Sequence, residues 1–138
     1  MQRNLVRIIS QEDVKKCIDM KQAVELQKRA FLALSHGSKS VTPDRVLLSV
    51  PEEGVTLFKP AYFQEEETGK QNSNGDIGRA LGCKVVSVRA KNSKIGLPTV
   101  PGSIMIFDAE TGYTKALLNA EYLTGLRTAA GSGVFTDM

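Results

Sequence analysis

Lys84 stands in the segment Cys83-Lys-Val-Val-Ser-Val-Arg-Ala90, where strict alternation puts it in phase with Val86, Val88 and Ala90. A lysine on an apolar strand face either snorkels to the edge of the sheet or neutralises an anion held there. Arg127 poses the same choice on a helix. It lies between Leu123 and Ala130, and the residues after it, Thr128-Ala-Ala-Gly-Ser-Gly133, are nearly all small. Small side chains let a ligand or another backbone come close, and a guanidinium at their edge can grip a carboxylate or phosphate through its planar fork. It can equally cap surface carbonyls. Arg45 opens a strand after Val41-Thr-Pro-Asp44, a position usually solvated or paired with an acid such as Asp44. Thr99 sits between two prolines in Gly96-Leu-Pro-Thr-Val-Pro-Gly102, which suits a positioned hydroxyl or ordinary loop chemistry.

From Ile77 to Phe107 there are five basic residues (Arg79, Lys84, Arg89, Lys91 and Lys94) and no acid. Such a stretch either faces an anion or scatters solvated lysines over a surface. Other chemistry is thinly represented. Cys17 and Cys83 are far apart, without metal-ligand spacing, and read as buried free thiols. The chain has a single histidine, His36, so neither a zinc site nor a Cys/His nucleophile pair is expected, and no metal. Gly131-Ser-Gly133 begins like a dinucleotide fingerprint, but Thr136 occupies the third glycine's place and the preceding residues read as helix rather than strand.

The elements that must position these side chains are legible from capping and periodicity. Leu5–Ile9 reads as a short strand, and Ser10 with Asp13 as a helix start. Asp19 caps a stronger helix with Gln22 three residues on. Gly37 stops it, and Ala23, Leu26, Ala30, Ala33 and Leu34 form its buried stripe. From Arg45 the period becomes two. Arg45–Val50, the turn Pro51–Gly54 and Val55–Lys59 form a hairpin. Gln64–Gly78 is polar and aperiodic, a long exposed loop. Leu81–Ala90, Ser103–Asp108 and Tyr113–Leu118 are further strands, with Ala109–Gly112 as a turn, and Asn119 caps a last helix through Ala130. The fold class is α+β: N-terminal helices plus a largely antiparallel sheet, because short turns join antiparallel neighbours.

The chain has 138 residues, about one domain, and its 41% apolar and 24% charged residues exclude a disordered tail, a collagen-like repeat and a coiled coil. No apolar run approaches the ~18 residues that span a bilayer, and no secretory h-region follows Met1, so a cytoplasmic protein is expected. A net charge of +3 and 6% aromatics, with no stacking motif among the lysines, argue against nucleic acid.

Taken together these segments resemble the N-terminal part of the ornithine cyclodeaminase/mu-crystallin family. Leu123-Thr-Gly-Leu-Arg-Thr-Ala-Ala-Gly-Ser-Gly133 is similar to that family's Thr-x-x-Arg-Thr-Ala-Ala-x-Ser-Ala helix. Val41–Arg45 resembles its strand-opening arginine, Lys59-Pro-Ala-Tyr62 its Met-Pro-Ala-Tyr segment, Gly82-Cys-Lys84 its strand lysine, and Ser103–Gly112 the strand and turn that follow.

The resemblance implies an NAD(P)-dependent enzyme of amino-acid metabolism, acting on amino acids or cyclic imines as a homodimer. It implies that Arg45, Lys84 and Arg127 hold the substrate carboxylate, and that Thr99 and Arg127 approach the cofactor. A glutamate that activates water in the cyclodeaminases corresponds here to Leu57, which favours a ketimine reductase or amino-acid dehydrogenase. Family chains are more than twice as long, and their dinucleotide fold and catalytic aspartate follow the Arg-Thr-Ala-Ala helix. Residues 1–118 are therefore expected to be a substrate-binding and dimerisation domain, and 119–138 a connecting helix at the start of a truncated dinucleotide-binding domain. On this reading no catalytic residue lies within the chain, NAD(P) is not bound stably, and the polypeptide alone is inactive. The alternative is a non-catalytic dimerising or small-ligand-binding module from a truncated isoform.

Overall fold

A computed structural model of the chain describes residues 5–36, 39–64 and 78–136. The elements are β1 (Arg7–Ile9), α1 (Gln11–Cys17), α2 (Met20–Ser35), β2 (Val46–Val50), β3 (Gly54–Gln64), β4 (Arg79–Val88), a 3-10 turn (Ala90–Ile95), β5 (Gly102–Phe107), β6 (Thr114–Asn119) and α3 (Glu121–Thr136). The fold is α+β, as expected. Its six strands lie in the order β1-β6-β5-β4-β3-β2, with β1 parallel to β6 and every other pair antiparallel. Strands β2 to β6 thus form a meander, and α1 and α2 carry the chain across one face from one edge to the other.

Local chemistry sets the helix starts. The Ser10 hydroxyl oxygen accepts from Asp13 N at 3.2 Å. Asp19 and Gln22 form a complete capping box, with Asp19 Oδ1 accepting from Gln22 N at 2.8 Å and Gln22 Oε1 accepting from Asp19 N at 2.9 Å. Asn119 Oδ1 accepts from Glu121 N at 3.0 Å at the head of α3.

Helix α2 packs on α3 through a small apolar cluster. Ala23, Leu126 and Ala130 are its buried centre, with Ile18, Val24, Tyr122 and Leu123 against them. A Cβ on Gly133 would meet Val24 Cγ2 at 3.3 Å, so Gly133, with the buried Ala130, serves close helix packing, whereas Thr128, Ala129 and Ser132 are exposed. Together the helices cover the sheet face that carries Lys84, Val86, Ile104 and Ala116, of which Val86 and Ala116 are buried. The opposite face is open. There Ile8, Leu117, Met105 and Cys83 align across four strands, beside a second row of Val46, Phe58 and Val85. Ile8 is 75% exposed and Val46 61%.

Several expectations shift. β3 runs on to Gln64, and α3 continues beyond Ala130 to Thr136. β4 ends at Val88, so Ala90 belongs to the 3-10 turn and not to the Lys84 strand face. In α2, Ala23 and Ala33 are buried, but Leu26 and Leu34 are substantially exposed, because they border open grooves instead of a filled core. Cys17 is exposed and Cys83 half-buried, contrary to the expectation of buried thiols: α1 is two turns long and buries Val14 alone. Gly37 and most of the Gln64–Gly78 segment lie outside the described residues. No helix among the described residues is long and apolar enough to cross a membrane.

Candidate anion-binding site

Between α2, α3 and the covered sheet face is a pocket of about 240 Å³, lined by Ile18, Ala23, Leu26, Gln27, Lys84, Ile104, Leu123, Thr124 and Arg127. Its floor comes from β4 and β5, where Lys84 pairs with Ile104. Its wall comes from one face of α3, where Thr124 and Arg127 lie a turn apart. The volume suits a molecule of amino-acid size and falls below the roughly 300–1,000 Å³ of pockets for larger ligands.

The lining contains two cations and no acid. Lys84 Nζ donates to Thr124 Oγ1 across a long 3.5 Å, its one hydrogen bond among the described residues, which leaves an ammonium with donors to spare. Desolvation, reinforced by the nearby Arg127 and Lys59 charges, lowers the Lys84 pKa to about 8. An incoming anion would relieve both penalties. Lys59 was not recognised from sequence as part of this environment. It pairs with Lys84 across β3 and β4, so both side chains leave the same face of the sheet. Thr124 was also missed, although its position three residues before Arg127 on a helix was a usable signal.

The structure brings Lys84 and Arg127 to one cavity. Arg45 is exposed immediately before β2 and lies outside the lining; the first paired residue, Val46, faces Phe58, which places Arg45 at the end of the strand beside Lys59. Thr99 is exposed in the loop before β5, where its carbonyl accepts from Arg89 N at 2.8 Å, also outside the lining. The basic stretch from Ile77 to Phe107 does not converge. Arg89 spends its guanidinium on the Val55 and Val88 carbonyls and Thr56 Oγ1, and Lys91 pairs with Glu53 at 3.2 Å.

The residues needed to cradle a dinucleotide are not found among those described. Gly131 and Gly133 lie inside α3, and no glycine-rich turn joins a strand to a helix there. Among the described residues no group of His, Cys, Asp and Glu could hold a metal ion.

Comparison with known proteins places the chain in a family. The model of the ornithine cyclodeaminase/mu-crystallin family matches residues 5–137, and the chain belongs to that family. An uncharacterised cyclodeaminase of Dictyostelium discoideum is 34% identical over 135 residues, covering 92% of this chain and 35% of its own length. The Δ1-pyrroline-2-carboxylate reductase of Bacillus cereus is 34% identical over 130 residues, 94% of this chain and 36% of its own. Among solved structures, the Thermococcus litoralis Δ1-pyrroline-2-carboxylate reductase in complex with NADH and L-proline superposes with a TM-score of 0.79 at 35% identity, covering 93% of this chain and 36% of that one. An archaeal alanine dehydrogenase dimer with bound NAD gives 0.76 at 31%, over 93% and 35%. The chain thus spans about a third of the length of these relatives.

Proposed function

We propose that this chain forms the substrate-holding part of an NAD(P)-dependent reductase of carboxylate-bearing imines, or of the corresponding amino-acid dehydrogenase, with Lys84 and Arg127 gripping the carboxylate and Arg45 completing the grip from the end of β2. The observation that carries this reading is the convergence of Lys84 and Arg127, from a strand and a helix distant in sequence, on one acid-free pocket of amino-acid size. Charge-assisted bonds to a carboxylate contribute about 1.5–3 kcal/mol each, enough for a few of them to fix a small substrate's orientation. Leu57 supports reduction over ring-forming deamination: it shares the Lys84 face, diagonal to Lys84, so the strand offers a methyl-rich surface where water activation would need a carboxylate.

Thr99 and Arg127 would approach the nicotinamide, which supplies or accepts the hydride. Since the described residues lack a phosphate-binding turn, the dinucleotide's main hold lies elsewhere in such an enzyme. Residues 1–118 act as the substrate-binding and dimerisation unit and 119–138 as the connecting helix. The open sheet face with Ile8, Leu117 and Met105 is the homodimer surface, a reading supported by the dimeric archaeal relative and by the exposure of these apolar side chains.

The test is calorimetric titration of the 138-residue polypeptide with pyrrole-2-carboxylate, a stable planar analogue of a cyclic imino acid. Binding that weakens roughly 10–100-fold in Arg127→Ala and Lys84→Met supports the reading. Affinity unchanged in both variants contradicts it. The same polypeptide is expected to oxidise no NAD(P)H with Δ1-pyrroline-2-carboxylate; turnover would overturn the division of labour.

A further inference from the structure

The sheet under and beside the pocket is asymmetric, with Lys84 and Ile104 in the lining and Lys59 next to it on β3. Reading across the sheet in register, Lys59 on β3 meets Lys84 on β4, which meets Ile104 on β5. One end of this row is therefore doubly cationic and the other apolar. Directly opposed side chains on an antiparallel pair have Cβ atoms only ~4.5–5.5 Å apart, and like charges so placed repel. Pairs of this kind normally carry opposite signs or have an acid nearby. Here no acid among the described residues pairs with Lys59, Lys84 or Arg127, whereas Lys91, Lys15 and Lys16 all have carboxylate partners. Lys59 is half-buried and is one of the two cations whose charges bear on the Lys84 ammonium.

One carboxylate held between Lys84 and Arg127 offsets only one of their two positive charges, and Lys59, outside the lining but paired with Lys84 on the same sheet face, adds a third to the excess beside the ligand. We infer that the site is built for a doubly acidic substrate, an amino or imino dicarboxylic acid whose first carboxylate lies between Lys84 and Arg127 and whose second is held by Lys59. Lys59 is then a specificity-determining residue. This rests on the carboxylate reading of the pocket and adds the substrate's second charge to it.

Glutarate and its monoamide, glutaramate, have nearly the same shape and differ by one negative charge. Calorimetric titration of the 138-residue polypeptide with each, at fixed pH and ionic strength, is expected to show glutarate bound at least about tenfold more tightly. In Lys59→Met and Lys59→Gln, with folding checked by circular dichroism, the ratio is expected to fall to within about twofold, chiefly through loss of glutarate affinity. A ratio near one in the wild type, or a preference that survives both substitutions, overturns the dicarboxylate inference while leaving the single-carboxylate reading intact. Failure of both acids to bind overturns that reading and the inference with it.

Discussion

Lys84 Nζ on β4 and Thr124 Oγ1 on α3 face each other at 3.5 Å, and this strand-to-helix contact marks where the sheet and the small-residue helix enclose the candidate site. The hydroxyl gives the ammonium a partner without neutralising it. The charge thus stays available, at the cost of holding a partly desolvated cation near two others.

That cost fixes a pH dependence of binding. Because burial, Arg127 and Lys59 lower the Lys84 pKa to about 8, the free pocket loses a charge as pH rises through that value. A bound carboxylate favours the protonated lysine. Affinity for pyrrole-2-carboxylate is therefore expected to be level below about pH 7, to fall above about pH 8, and binding near pH 8.5 should take up protons. Titrations in buffers of different ionisation enthalpy check this, and Lys84→Met should abolish the dependence.

The same shift predicts the sign of a stability effect. Lys84 titrates from its ordinary 10.5 when unfolded and about 8 when folded, so between these values the unfolded chain binds more protons and stability rises with pH. Below pH 8 the full penalty of charging the folded lysine is present. Lys84→Met is expected to raise the urea midpoint at pH 7 while weakening ligand binding, and to flatten the rise above pH 8. A lower midpoint would show that the lysine stabilises the fold.

The helical frame was readable because its signals are local. Asp19 and Gln22 close a capping box whatever lies beyond them, and Ser10 and Asn119 act on neighbouring amides. The length of β3 was not readable, since Pro60 marks a break in a strand pattern. Tyr62 N points away from β4, donating to Val41 O at 2.8 Å, so Pro60 two residues earlier turns its missing N–H to the same outer side, where β2 no longer pairs. With β3 ended at Lys59 the lysine looked terminal. Its partnership with Lys84 depends on register, which pairs residues through a hairpin and cannot be counted from alternation alone. Lys84 and Arg127 were visible by phase and by the small residues beside Arg127, but their meeting depends on how α3 lies over the sheet.

Capping provides a check on the scaffold that is separate from the site. Asp19→Ala removes a bond to Gln22 N at 2.8 Å and leaves a first-turn amide without its acceptor. It is expected to cost about 1 kcal/mol, measured by urea denaturation, without changing carboxylate affinity when folded.

The open sheet face makes a prediction about assembly. Met105 and Leu117 are directly opposed on β5 and β6, each 38% exposed, at the middle of the uncovered apolar rows. Met105→Glu combined with Leu117→Glu is expected to convert a dimer to a monomer in light scattering. A dimer that persists would place the interface on another surface.

Gly54 tests the hairpin that sets the β3 register. Its φ of +131° lies outside the range that side chains favour, and an added Cβ would collide with the Val88 carbonyl oxygen. Gly54→Ala is expected to destabilise the chain by more than about 1 kcal/mol in the same denaturation assay. A neutral result would contradict this turn geometry.

The most direct measurement is a crystal structure of the chain with pyrrole-2-carboxylate bound. The carboxylate oxygens are expected about 2.7–2.9 Å from Lys84 Nζ and from the Arg127 guanidinium, between α3 and the sheet. A carboxylate seated elsewhere, with both side chains turned to solvent, would contradict the account.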